Sequence, residues 1–236
     1  MSGQTLVAAS RQRPLAREPD SNCSFCPRLA TFRDSLRAAQ PEWHNAPVPG
    51  FGAPDARLLV VGLAPGLRGA NRTGRPFTGD FAGGLLYATL IEFGFAAGAY
   101  GASVDDGLLL AACAITNAVR CVPPQNKPMP AEIASCRPFL AATIAALPDL
   151  RAIVALGRVA HESVVRAFGL KPATFPFAHG AEHVLAAGET ARHRFRAGAR
   201  AILLADSYHC SRLNTNTGVL TQEMFRAVFA KVRARL

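Results

Sequence analysis

Residues 57–80 read RLLVVGLAPGLRGANRTGRPFTGD, a short apolar run closed by Gly62 and followed at once by a glycine-rich loop. An uninterrupted apolar run of this length is the mark of a strand buried on both faces of a parallel sheet. Similar runs occur at Leu108–Thr116, Ala152–Leu156 and Ala199–Ala205. Helical stretches lie between them. Gly83–Phe93 sets Leu86, Leu90 and Phe93 at helical spacing and stops at Gly94. Glu132–Leu147 is a second, which Pro138 is expected to kink or interrupt. Arg158–Phe168 is a third, and Gln222–Arg235 stacks Phe225, Val228, Phe229 and Val232 on one face. Strands alternating with helices predict a doubly wound α/β sheet, with the ligand site beyond the carboxyl ends of the strands.

Residues 97–107 and 171–198 read as irregular excursions, the second basic and histidine-containing. With no internal repeat and no dividing linker, residues 21–236 are expected to form one domain behind a flexible N-terminus, residues 1–20. Arg11, Arg13 and Arg17 are followed by no long apolar run, so neither a secretory signal nor a membrane span is expected. A cytoplasmic protein follows, in a compartment where clustered cysteines suggest metal more than disulfide. The net charge of +10 favours a phosphate-rich partner, although an arginine-biased composition alone would also give it.

Two loops and a set of cysteines carry the chemistry. Gly62, Gly66, Gly69, Gly74 and Gly79 allow a ligand close to the backbone, but the loop fits neither GxGxxG nor the P-loop. Phe77 is suited to stacking on a flat base or, equally, to a place in the core. Asp80 stands where a helix N-cap would. Cys23-Ser-Phe-Cys26 has the spacing that turns two thiolates toward one centre, and Cys121 and Cys136 bring the set to four. By count, four thiolates suit Zn²⁺ and an iron–sulfur cluster alike. Cys113 reads as a small buried hydrophobe. Cys210, beside His209 in the second loop HCSRLNTNTG (209–218), is a nucleophile candidate without a base-orienting partner in the sequence.

Taken together, residues 62–80, Ile115-Thr-Asn-Ala-Val-Arg-Cys121 and residues 209–218 resemble the uracil-DNA glycosylase superfamily, and within it the iron–sulfur branch called family 5 or type b. The resemblance runs from Cys23 to about the final helix. It implies a three-layer α/β/α sandwich on a short central parallel sheet, and a [4Fe–4S] cluster held by Cys23, Cys26, Cys121 and Cys136. The implied activity is monofunctional hydrolysis of the N-glycosidic bond of a deaminated base, uracil first and hypoxanthine and related lesions also, by a monomer acting on DNA.

The same resemblance distributes roles. The target base leaves the stack and enters a pocket of Gly62, Ala64, Phe77 and Asn117. Phe77 stacks on it, and the Asn117 amide matches O4 and N3–H of uracil. His209 stabilises charge developing on O2. Ser211 holds a phosphate, Arg212 and Leu213 fill the vacated space, and Asn214 orients the loop. Asn71 is the first candidate for positioning water, and Asp80 the second. Arg68, Arg72, Arg75, Arg120, Lys127 and Arg212 are expected on phosphates. Two departures from the wider superfamily stand out. Ala64 replaces an acidic or amide residue, as is typical of family 5, and Cys210 replaces the usual proline. They leave a silent DNA-binding protein of the same fold as the alternative; a cluster-based redox protein would leave Phe77 and the arginines without a purpose.

Overall fold

The computed structural model describes residues 16–186 and 201–236. Residues 1–15 of the expected N-terminal tail, residues 187–198 of the basic excursion and the first residues of the 199–205 run lie outside the described residues. In chain order the elements are α1 (Pro27–Ala39), β1 (Phe51–Gly52), β2 (Leu58–Gly62), α2 (Ala70–Thr73), α3 (Phe81–Glu92), β3 (Ala96–Ala97), β4 (Leu109–Leu110) and β5 (Cys113–Asn117). They continue with α4 (Pro130–Ala145), β6 (Ala152–Leu156), α5 (Arg158–Ala167), β7 (Glu182–Leu185), β8 (Ile202–Ser207), α6 (Arg212–Asn216) and α7 (Gln222–Arg233).

The main sheet has the order β1-β5-β2-β6-β8-β7. Its four inner strands are parallel, and the edge strands β1 and β7 run antiparallel to their neighbours. Because side chains alternate along a strand, β2 serves both faces at once. Leu58 and Val60 join Leu86 and Leu90 of α3 and Phe225 and Phe229 of α7 on one side. Leu59 and Val61 join Leu140 and Ile144 of α4 and Ala160 and Val164 of α5 on the other. Each fully buried side chain of this kind contributes about 1.5–3 kcal/mol, and the result is the expected α/β/α sandwich. No helix among the described residues is long and apolar enough to cross a membrane.

Three local expectations need correction, and one element was not foreseen. The apolar run Leu108–Thr116 is two strands, β4 and β5, parted where Ala112 takes a left-handed φ of 47°. Pro138 does not interrupt α4: Pro138 and Ala134, whose carbonyl loses its helical donor, are both exposed, so water can serve that carbonyl. The region after 171 is not wholly irregular, since β7 pairs with β8. Arg33 and Arg37 of α1, an element without a sequence signal, bond to the carbonyls of Cys23 and of Ser21 and Asn45, drawing the N-terminal segment onto that helix.

Candidate active site

Chain order places β5 on one side of β2 and then β6 and β8 on the other, so the carboxyl ends of β2 and β6 form the switch point of the sheet. A cavity of about 1080 Å³ opens there. Ala64 follows β2, Asn117 ends β5, Gly157 and Arg158 follow β6, and His209, Ser211 and Arg212 follow β8; Phe77 and Asp80 come from the glycine-rich loop. Thus four strand ends and one loop converge on residues that lie far apart in sequence.

Gly62 and Asn117 are partners in the β2–β5 register. Gly62 does not line the cavity; it stands behind the residues that do. A Cβ there would run into Asn117 Oδ1 and approach Phe77 Cζ to 2.5 Å, so glycine lets both side chains settle against the strand. Phe77 itself is held in a left-handed conformation, φ 53°. The Tyr100 hydroxyl donates to its carbonyl at 3.0 Å, and Tyr87 donates to Pro76 O at 2.7 Å. Strain of this kind costs of order 1–3 kcal/mol. Phe77 stacks on His209, ring centroids 6.0 Å apart and planes 26° apart. Asn117 lines the cavity, and its Oδ1 is buried with no hydrogen-bond partner.

Asp80 caps α3, accepting the Gly83 N–H at 3.3 Å through Oδ1. Its other oxygen faces the glycine-rich loop: a Cβ on Gly69 would strike Asp80 Oδ2 and sit 2.8 Å from its Cβ. The loop therefore wraps a carboxylate. Burial pushes the Asp80 pKa above the ordinary carboxylate value, with the Gly83 and Ala82 N–H groups partly opposing the rise.

Asn71 is not brought to the cavity. It sits in α2, 1% exposed, with Nδ2 donating to Asn45 Oδ1 at 2.9 Å. Asn45 in turn donates to the carbonyls of Leu36 and Gln40. The amide spent in that chain joins the loop to the end of α1. Asn71→Ala is expected to lower stability by about 1–3 kcal/mol, the penalty for a buried group left unpaired, with little effect on chemistry below the melting temperature. Thermal melts beside single-turnover assays check this; a hundredfold slower reaction at unchanged stability would return Asn71 to the reaction.

The second loop is held by its own side chains. Ser211 caps α6 through the Asn214 N–H, and Asn214 Nδ2 donates to His209 O at 2.8 Å. Leu213 stands 72% exposed. Arg212 lies over the Phe81 ring, 5.3 Å from its centroid. Cys210 is fully buried, its Sγ 3.6 Å from Ala82 O, and burial pushes its thiol up to about 12. It is a packing residue that anchors the loop, not a nucleophile. Desolvation lowers the His209 pKa to about 4, so its imidazole is neutral at neutral pH.

The expected phosphate contacts divide. Arg68, Arg72, Lys127 and Arg212 are exposed. Arg75 is buried in a two-pronged pair with Asp106, at 2.8 and 2.6 Å, and Arg120 is buried against Glu18 and Thr143. Those two arginines hold the fold and are not on the surface. Sequence reasoning missed Arg158, exposed at the cavity mouth; its place directly after strand and glycine, Leu156-Gly157-Arg158, was the available signal.

The four cysteines converge outside this cavity. Cys23 and Cys26 precede α1, Cys121 follows β5 and Cys136 rides on α4; with Leu29, Val119 and Phe139 they line one small pocket. Phe25 stacks on Phe139 at its edge, centroids 6.1 Å apart. The Arg120 N–H points at Cys136 Sγ at 3.2 Å. Without a metal, burial raises the thiols of Cys136 and Cys121, to about 11 and about 12.

A mostly parallel sandwich gathers an aromatic, an amide, a carboxylate and an imidazole at its switch point, the place where ligands bind in folds of this kind. The model of the uracil DNA glycosylase superfamily matches residues 49–233, and the chain belongs to that superfamily. Within it, the similarity covers most of the chain for type-5 members. A type-5 uracil-DNA glycosylase of Thermus thermophilus is 46% identical over 217 residues, 89% of this chain and 92% of that protein. Others from Mycobacterium bovis and Pyrobaculum aerophilum are 40% and 38% identical, over 90% of this chain and 78% and 88% of theirs. A type-4 uracil-DNA glycosylase of Pyrobaculum aerophilum is 33% identical over 63% of this chain and 62% of its own.

Proposed function

We propose that this chain is a monofunctional DNA-repair glycosylase that takes a deaminated base out of the helix and hydrolyses its N-glycosidic bond, leaving an abasic site. The observation that carries the reading is the buried, unpartnered Asn117 acceptor beside Phe77 and a neutral His209 in one cavity. An amide reads a carbonyl next to a ring N–H. Uracil presents that pair at O4 and N3–H, and hypoxanthine presents it at O6 and N1–H. Cytosine presents the opposite pattern and leaves the Asn117 acceptor unpaired, which is costly in a buried site. The cavity has room for a purine, which supports hypoxanthine as a second substrate.

In this mechanism the base stacks on Phe77, and Leu213 enters the space it leaves. As the glycosidic bond lengthens, negative charge gathers on the base and His209 N–H stabilises it. Asp80 orients water and opposes the positive charge on the sugar, a role the geometry of Asn71 does not suit. The silent-binder alternative rested on Ala64 and Cys210; Cys210 packs as a loop anchor, and Asp80 supplies a carboxylate that Ala64 lacks.

Cys23, Cys26, Cys121 and Cys136 would hold the [4Fe–4S] cluster, which would tie α1, the β5 loop and α4 together. A pocket lined by all four cysteines together with Leu29, Val119 and Phe139 supplies the thiolates and the apolar surround that such a cluster takes. The enzyme is read as a cytoplasmic monomer.

The test is incubation, with chelator, on duplexes carrying one U·G, one hypoxanthine·T or no lesion, followed by alkali. Cleavage at the lesions alone supports the reading. Absence of cleavage by folded protein that still binds duplex contradicts it. Arg158→Ala is expected to weaken duplex binding and to reduce the slope of log affinity against log salt by about one, with the rate in the bound complex unchanged. Binding titrations at several salt concentrations measure both.

A further inference from the structure

We propose that His161, His183 and Asp206 form a site for one divalent transition-metal ion of the zinc class, distinct from the cysteine pocket and from the base cavity, which none of the three lines. The three come from α5, β7 and β8, and one ligand atom from each lies within 4.8 Å of the other two. His161 and Asp206 are fully buried, and the His183 side chain is 14% exposed.

A buried histidine–aspartate pair explains part of this cluster. His161 Nδ1 is 2.7 Å from Asp206 Oδ1. It does not explain the rest. Asp206 Oδ2 and His183 Nε2 are both buried without a hydrogen-bond partner, and they face each other at 3.5 Å. Two orphaned polar atoms in contact are costly unless something lies between them. Two ligands about 2.1 Å from one ion, at a near-tetrahedral angle, stand about 3.4–3.5 Å apart. His161 is also oriented as a ligand. Its Nε2 lies 2.7 Å from Phe175 O and donates to it, which turns Nδ1 toward the carboxylate; a backbone carbonyl commonly fixes a ligating imidazole in this way. Two imidazoles and a carboxylate suit a zinc-class ion, with a fourth position left open.

The proton balance follows. On binding, His161 Nδ1 gives up its hydrogen bond to Asp206 and its proton leaves to solvent, while imidazole and carboxylate move apart from 2.7 Å to the spacing of two ligands on one ion. The ion would clamp edge strand β7 and helix α5 to β8, the strand that leads within two residues to His209. This proposal is independent of the glycosylase reading.

Whole protein, treated with mild chelator and with its iron content measured, is titrated with Zn²⁺ alone beside His183→Ala and His183→Gln. Wild type is expected to bind one more equivalent than either variant, with affinity at that site at least on the order of a hundredfold higher. It should release about one proton per ion and gain a higher melting temperature that the variants do not. Iron content should be equal in all three. His183→Gln keeps size and polarity on a partly exposed edge strand, so loss of the site in both variants is not a folding defect. Equal zinc uptake by all three folded proteins would overturn the proposal.

Discussion

Asp80→Asn is expected to slow single-turnover release of uracil by about 10²–10⁴-fold, the range for a positioned acid–base group, while the protein keeps its fold. Asparagine caps helices as well as aspartate, so α3 retains its first turn. What disappears is the negative charge beside the sugar and the acceptor for water. Burial raises the pKa of this carboxylate, so the wild-type rate should fall, as pH drops, at a value above the ordinary carboxylate range. That acid limb should be missing in Asp80→Asn. Single-turnover rates against pH for both proteins measure the effect; an unchanged rate would remove Asp80 from the chemistry.

His209→Ala is expected to cost about 10²–10³-fold in the same rate, as removal of one preorganised donor does elsewhere. Its pH behaviour separates two roles. With a pKa near 4, His209 stays a neutral donor through the physiological range, and the wild-type rate should show no inflection near pH 6.5. A cationic histidine would produce one. Stability carries a matching sign. The folded state holds this imidazole neutral between its lowered value and the usual 6.5, whereas the unfolded chain binds a proton there. Folding stability contributed by His209 therefore falls as pH falls through that window, and His209→Ala should flatten the acid side of the stability curve. Denaturant titrations from pH 4 to 7 check this.

Much of the layout was legible in the sequence because β2 and β6 are buried on both faces and read as unbroken apolar runs; Ala152–Leu156 matches its predicted bounds. The edges were not. Phe51–Gly52 is too short to carry a pattern, and Glu182–Leu185 mixes charge with apolar residues. At the site, Phe77, Asn117 and His209 reach one cavity as expected. Asn71 and Asp80 show why nearness in sequence is insufficient. Both belong to the glycine-rich loop, yet the turn of α2 sends Asn71 to Asn45 while the N-cap of α3 keeps Asp80 in the wall. Arg75 and Arg120 were misjudged for a related reason. Their acidic partners, Asp106 and Glu18, lie far away in the chain, and burial of a charge is decided by such partners.

The proposed reaction uses water and not an amine nucleophile, and the described residues that line the cavity include no lysine. The most direct measurement is mass spectrometry of a single-turnover reaction on a U·G duplex, quenched without alkali. Free uracil is expected in equal amount to an intact strand bearing an aldehydic abasic site, with nothing trapped on the protein by borohydride. A borohydride-trapped adduct, strand scission before alkali, or no free uracil from folded protein that binds the duplex would contradict the proposed reaction.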